Sequence, residues 1–312
     1  MSYWEEINEE EKKIPLELWL MATRPKTLLA GLSPIIIGES FAYYEKSDLN
    51  YSILILTILC TVLMQIGTNL VNDYFDGTRG IDGPNRLGPK RVTSNKLIAP
   101  EKMRLAFIAV FSLAFILGLF LIVQGGLKIA FIGIISIFIA YAYTAPPFNL
   151  SYFALGELLA FIFFGPIAVW GSYYLQLLEK GKLSIAVIIG SFIPGLISSA
   201  ILAINNLRDR ESDMLTPKST LAIIFGERIG RAIILSLVFL PILVTWMMPS
   251  LLNLRTSTYL LMTGITPFIF WKTWKKIAFN KIDESLNFCL FKTSKYLLIF
   301  SILFSLAIIW GK

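Results

Sequence analysis

The sequence predicts an all-α polytopic membrane protein of about nine transmembrane helices, forming a single integral-membrane domain over residues 1–312. Three observations carry that expectation. Hydrophobic residues make up 55% of the chain and the mean hydropathy is +0.68, more than a soluble core of this length requires. The apolar residues fall into runs long enough to cross a bilayer, at 28–44, 52–72, 103–124, 127–145, 153–177, 184–204, 229–248, 257–272 and 294–310. The count becomes eight if the short run at 257–272 only dips into the membrane. Finally, the basic residues gather in alternate connections, as the positive-inside rule requires.

Residues 1–16 are polar and acidic, with Glu5, Glu6, Glu9, Glu10 and Glu11, and lack the apolar stretch of a cleavable signal peptide. They are expected to lie on the membrane surface. Residues 17–27 lead into the first span, with Pro25 near a helix start, where proline is tolerated. Arg24 and Lys26 flank it at the interface. Glu39 lies deeper in that span, where an ionisable group is costly and implies a cavity or a paired partner.

The second span closes on Asn69-Leu-Val-Asn72-Asp73-Tyr-Phe-Asp76-Gly-Thr-Arg79-Gly80-Ile-Asp82. Asn69 and Asp73 are four apart, so they share one helical face, with Asp76 one turn further on. Alone, such a cluster reads as a capped helix end. The spacing recurs, however, in Asn205-Asn206-Leu-Arg208-Asp209-Arg-Glu-Ser-Asp213 at the end of the sixth span. Oxygen ligands of this kind suit Mg²⁺, which is usually held by one or two carboxylates plus substrate phosphate oxygens. Two such half-sites on one side of a membrane would hold two cations around one diphosphate.

The connection over 73–102 is long for a compact bundle and carries Arg79, Arg86, Lys90, Arg91 and Lys96 among four glycines. Positive charge beside carboxylates makes sense if a polyanion bridges them. After spans 3 and 4 comes an uncharged, aromatic connection in which Tyr143, Phe148 and Tyr152 could face a developing cation or simply line the interface. Glu157 opens span 5. The connection over 206–228 again mixes charges, with Arg208, Arg210, Lys218 and Arg228. Beyond it spans 7 to 9 hold little candidate chemistry, and Trp271 to Lys276 reads as an interfacial anchor. Cys60 and Cys289 read as packing residues, and the chain has no histidine, so neither a Cys/His metal site nor a His general base is available.

Placing the N-terminus and the connections after spans 2, 4, 6 and 8 on one side puts 22 of the 28 Lys and Arg there. Only Lys46, Lys128, Lys180, Lys182, Arg255 and Lys312 remain opposite. Both Asp clusters are therefore expected to face the cytoplasm of a plasma-membrane protein. The formal charge of +7 then reflects these flanks and not a nucleic-acid groove.

The two clusters resemble the Asp-rich motifs of UbiA-type intramembrane prenyltransferases. The likeness is closest to the menaquinone-pathway branch, which prenylates 1,4-dihydroxy-2-naphthoate. It extends over about residues 15–231 and includes Ala22-Thr-Arg24-Pro25-Lys26-Thr27-Leu28, Arg86-Leu-Gly88-Pro89, Tyr143-Thr144 before Pro146-Pro147, Leu155-Gly156-Glu157, Phe164-Gly165-Pro166 and Lys218-Ser-Thr220-Leu221. Gly80 stands where many members have a last motif Asp, with Asp82 two residues on. No Lys follows Tyr143, as it does in the 4-hydroxybenzoate enzymes.

The resemblance implies helices around a central cavity, capped on the cytoplasmic side and open laterally to lipid. It implies a Mg²⁺-dependent enzyme, with polyprenyl diphosphate and an aromatic hydroxy acid as substrates. Carried onto this chain, Asn69, Asp73, Asp76, Asn205, Asp209 and Asp213 would hold two Mg²⁺ ions. Arg24, Arg79, Arg86, Arg91, Arg208 and Lys218 would bind the diphosphate, and Tyr143 would stabilise an allylic cation. Within the family, 1,4-dihydroxy-6-naphthoate, homogentisate or a glycerol phosphate are the alternative acceptors. An ion-coupled transporter would place its polar site near the midplane, whereas these carboxylates lie at helix ends.

Overall fold

The computed structural model describes residues 14–80, 87–89, 91–178, 184–255 and 263–311, with only the backbone of Lys26. They are helical, in the order α1 (Leu16–Thr23), α2 (Pro25–Lys46), α3 (Tyr51–Thr78), α4 (Pro100–Ala142), α5 (Gly156–Ile162), α6 (Ala168–Leu177), α7 (Ile185–Arg208), α8 (Arg210–Asp213), α9 (Leu221–Leu252), α10 (Thr266–Ile269), α11 (Trp271–Phe279) and α12 (Leu286–Trp310). The described residues form no strand, only a single bridge between Phe153 and Ser219. Backbone satisfaction explains the choice, because a lipid-facing helix closes its own hydrogen bonds.

Six of these segments are long and apolar enough to cross a membrane, with α5 and α6 counted as one. The 43-residue α4 is about twice as long as a bilayer core is thick. It is interrupted at Gly126 (φ 66°, ψ −156°), a conformation that a side chain would oppose. The break falls between the expected spans 103–124 and 127–145. The two halves of α4 match these two spans, and α2 covers the first expected one at 28–44. The expected run at 257–272 begins at residues outside the described ones, and the polar segment 1–16 lies outside them up to residue 13.

α3 packs mainly along α4, α7 along α9, and α12 along α2, which in turn packs against α6. The α2–α6 contact is close. A Cβ at Gly38 would fall 2.6 Å from the Val169 carbonyl oxygen and 2.9 Å from Ser172 Cβ. Gly38→Ala is therefore expected to cost about 1–3 kcal/mol by overpacking. A melting temperature in detergent unchanged from wild type would show that the helices do not meet there.

Two boundaries differ from the sequence expectation for a common reason. α3 continues to Thr78 and α7 to Arg208, so both clusters begin inside helices and not in loops. Polar groups meet their carboxylates, from the connection after α3 at the first cluster and from Arg208 and Lys218 at the second, and make the extra turns tolerable in a buried setting. The expected anchor at 271–276 is also divided. Trp271 is exposed, but Trp274 is buried in the core and donates from Nε1 to the Pro267 carbonyl at 2.8 Å.

Candidate active site

A cavity of about 780 Å³ runs into the bundle, and both clusters line one end of it. Its inner walls are apolar, supplied by α3 and both halves of α4. Polar rim and greasy chamber thus share one space.

On the first cluster, the four- and three-residue spacing puts Asn69, Asp73 and Asp76 on one buried face of α3. Asn69 Nδ2 donates to the Thr23 carbonyl (2.9 Å) and to Thr27 Oγ1 (3.2 Å). The connection after α3 folds back, and the amides of Val92 and Thr93 donate to the Asp73 carboxylate at 3.3 and 2.9 Å. Arg91 pairs with Asp76 at 2.5 Å and donates to the Asn72 carbonyl at 2.7 Å. Thr144 donates to Asn72 Oδ1 at 2.8 Å, tying the aromatic connection to this cluster.

The second cluster is built around Arg208, which is 2% exposed. Its guanidinium meets both Asp209 oxygens (2.8 and 2.5 Å), Asn205 Oδ1 (2.8 Å) and Asn287 Oδ1 (2.7 Å). Asn287 in turn donates to the Leu87 carbonyl at 2.8 Å. Lys218 lies 3.3 Å from Asp213. Glu157 orients the neighbouring Asn206 by accepting from its Nδ2 at 2.9 Å. Burial pushes the Asp213 carboxyl upward; Lys218 opposes this, while Asp209 and, across the cavity, Asp76 add to it. The two clusters therefore sense each other's charge.

Arg24 stands between them. It occupies a left-handed turn before α2 (φ 50°), lines the cavity, and has a buried Nη2 with no hydrogen-bond partner among the described residues. Burial, reinforced by Arg91 and opposed by Asp73 and Asp76, lowers its guanidinium to about 10, so it remains cationic at neutral pH. A buried unpaired donor of this kind is rare and fits an anionic ligand.

The other expected residues divide. Tyr143 lines the cavity, close enough to α5 that a Cβ on Gly156 would lie 2.9 Å from its hydroxyl. Phe148 instead packs on Phe138 with ring centroids 5.2 Å apart, and Tyr152 is not in the lining. Arg79 is also outside the lining, donating to Asn149 Oδ1 at 2.7 Å with its guanidinium over the Phe75 ring. Arg86 and Asp82 lie outside the described residues. Sequence reading missed Asn287 and gave no partner to Thr144 or Glu157, because none of these three sits in a charged cluster and their partners, Arg208, Asn72 and Asn206, are distant along the chain.

No three Asp, Glu, Cys or His side chains among the described residues converge to hold a metal ion unaided. The donor set still fits Mg²⁺ with a phosphate-bearing ligand. Hard oxygens come from both clusters, and a carboxylate oxygen accepting one hydrogen bond keeps a further lone pair.

Comparisons with known proteins agree with this arrangement. The family model described as the UbiA prenyltransferase family matches residues 31–309. A 1,4-dihydroxy-2-naphthoate octaprenyltransferase of Haemophilus influenzae is 35% identical over 223 residues, covering 69% of this chain and 71% of the relative. The Escherichia coli protein of the same name is 35% identical over 217 residues, covering 68% and 69%. A solved UbiA homolog from Archaeoglobus fulgidus, bound to GPP and Mg²⁺, superposes with a TM-score of 0.65 at 18% identity, over 94% of this chain and 99% of that one.

Proposed function

Because the chain belongs to the UbiA prenyltransferase family, we propose that it transfers a polyprenyl group from polyprenyl diphosphate to 1,4-dihydroxy-2-naphthoate, with loss of the acceptor's carboxylate, giving the hydroquinone form of demethylmenaquinone. The observation that carries this reading is the single cavity in which two carboxylate clusters face one apolar chamber. A diphosphate belongs at the first and a prenyl tail in the second. The names of the relatives support the acceptor, and the solved homolog's GPP and Mg²⁺ support the donor and the metal.

Asn69, Asp73, Asp76, Asn205, Asp209 and Asp213 would hold two Mg²⁺ ions. Bound there, Mg²⁺ supplies Lewis-acid stabilisation of the charge that builds on the leaving diphosphate. Arg24, through its open Nη2, donates to the diphosphate, alongside Arg91, Arg208 and Lys218. Arg86 keeps the same role from its place in the sequence, whereas Arg79, turned to Asn149, holds the aromatic connection in position. As the allylic C–O bond breaks, the Tyr143 ring faces the developing positive charge. The electron-rich ring carbon bearing the carboxylate forms the new C–C bond, and carbon dioxide departs with its bonding pair returned to the ring.

The direct test incubates membranes with Mg²⁺, labelled polyprenyl diphosphates and a panel of aromatic acids, followed by identification of the lipid product. A prenylated naphthoquinol is expected from 1,4-dihydroxy-2-naphthoate. Product only from homogentisate, 1,4-dihydroxy-6-naphthoate or a glycerol phosphate would refute the acceptor while keeping the reaction class.

Orientation is tested separately. Thr78→Cys and Ser212→Cys are expected to resist a membrane-impermeant thiol reagent in intact cells and to react once the cells are opened. Labelling from outside would reverse the topology.

A further inference from the structure

The reaction proposed above leaves Glu157 and Asn206 without a task. Glu157, 6% exposed, lies in the first turn of α5, and Ser199 Oγ on α7 donates to its carbonyl at 2.6 Å. Its Oε1 accepts from Asn206 Nδ2 at 2.9 Å. That oxygen accepts whether or not a proton sits on Oε2, so the Asn206 amide is held with its nitrogen towards Glu157. Asn206 lines the active-site cavity, and its Oδ1 has no hydrogen-bond partner among the described residues. Leu202, one turn earlier on α7, and Tyr143 line the same corner of the cavity. A Cβ on Gly156 would fall 2.9 Å from the Tyr143 hydroxyl and 3.0 Å from Leu202 Cδ2, so the bare glycine is what lets both approach. Asn205 shares its face of α7 with Asp209, four residues on, whereas Asn206 is turned about 100° from it. The amide oxygen therefore belongs to the aromatic corner and not to the carboxylates.

An amide oxygen in this place selects a ligand that brings a hydrogen-bond donor. A diphosphate brings oxygens that accept, and a prenyl tail brings no polar atom. The aromatic acid brings two hydroxyls. The one beside the carboxylate bonds to it within the molecule, which leaves the 4-hydroxyl free to donate. We propose that Asn206 reads the aromatic substrate by accepting from its 4-hydroxyl, and that Glu157 is a positioning residue that fixes the amide for this contact. The inference rests on the acceptor proposed above and names the residue that recognises it. A site built to pair a hydroxyl rejects the analogue without one, because its own polar atom is then left unpaired.

The test uses purified full-length protein with Mg²⁺ and a non-hydrolysable prenyl thiodiphosphate bound. It is titrated under reducing conditions with 1,4-dihydroxy-2-naphthoate or with 1-hydroxy-2-naphthoate, which lacks only the 4-hydroxyl, and binding is followed by the fluorescence of the acids. Wild type is expected to bind the dihydroxy acid about tenfold more tightly. Asn206→Ala is expected to bind both acids alike, with the wild-type affinity for 1-hydroxy-2-naphthoate. Glu157→Gln, which lets the amide turn over, is expected to lose most of the preference at unchanged affinity for 1-hydroxy-2-naphthoate, a selective change that a merely structural role would not produce. Equal binding of the two acids by wild type would overturn the proposal without reliance on any variant, and is the result to expect if Asn206 serves Mg²⁺ instead. An undiminished preference in Asn206→Ala would also overturn it, and in Glu157→Gln would remove the positioning role. Prenyl transfer is assayed independently. Transfer to 1,4-dihydroxy-2-naphthoate without the preference would sink this inference alone, the preference without transfer would sink the proposed reaction alone, and no binding of either acid would sink both.

Discussion

Stripping divalent cations with EDTA is expected to abolish prenyl transfer, and Mg²⁺ is expected to restore it. Six oxygen-bearing side chains face the rim, and without a cation the carboxylates repel the diphosphate that must dock between them. Losing several kcal/mol of charge stabilisation corresponds to about 10²- to 10³-fold or more in turnover, at about 1.4 kcal/mol per tenfold. The raised Asp213 carboxyl adds a pH signature. Its proton must leave before the carboxylate can ligate, so the Mg²⁺ concentration for half-maximal rate should increase as the pH falls. Full turnover in metal-free buffer would end the two-metal reading. A half-maximal Mg²⁺ concentration that does not change with pH would remove Asp213 from it.

Asp213→Asn is the sharpest single substitution, with an expected loss of about 10²-fold or more in turnover. Stability should change little, because burial already disfavours the Asp213 charge and Asn keeps the shape while removing it, the contact with Lys218 at 3.3 Å being the one ion pair lost. Asp73→Asn and Asp209→Asn are expected to lose as much activity but also to destabilise. An Asn at 73 cannot accept from both Val92 and Thr93, and one at 209 strands the buried Arg208 guanidinium. The measurement is prenyl transfer beside the melting temperature in detergent for all three. Near wild-type turnover of Asp213→Asn with the fold intact would return that residue to a structural role.

Much of this was legible in the sequence. Run length and the recurrence of Asn-x-x-x-Asp exposed the spans and both clusters, because lipid imposes a strong hydropathy signal and a helix imposes fixed spacing. The break at Gly126 fell where two apolar runs met. What escaped were contacts made at a distance along the chain. Nothing local marks Arg79 as a partner of Asn149, or Trp274 as a core residue when Trp271 beside it is exposed. The helices overran their expected ends for the same reason: the amides of Val92 and Thr93, which make a buried Asp73 tolerable, come from the far side of a connection.

The Asn287 amide links Arg208 on one side to the Leu87 carbonyl on the other. A single side chain thereby fastens the second cluster to the segment that follows the first. Asp at 287 would keep the acceptor and lose the donor, and Leu would lose both. The position can therefore drift over generations only in step with 208. Among related chains the two sites should change together, and exchanging one without the other between relatives should yield an enzyme poorer than either parent.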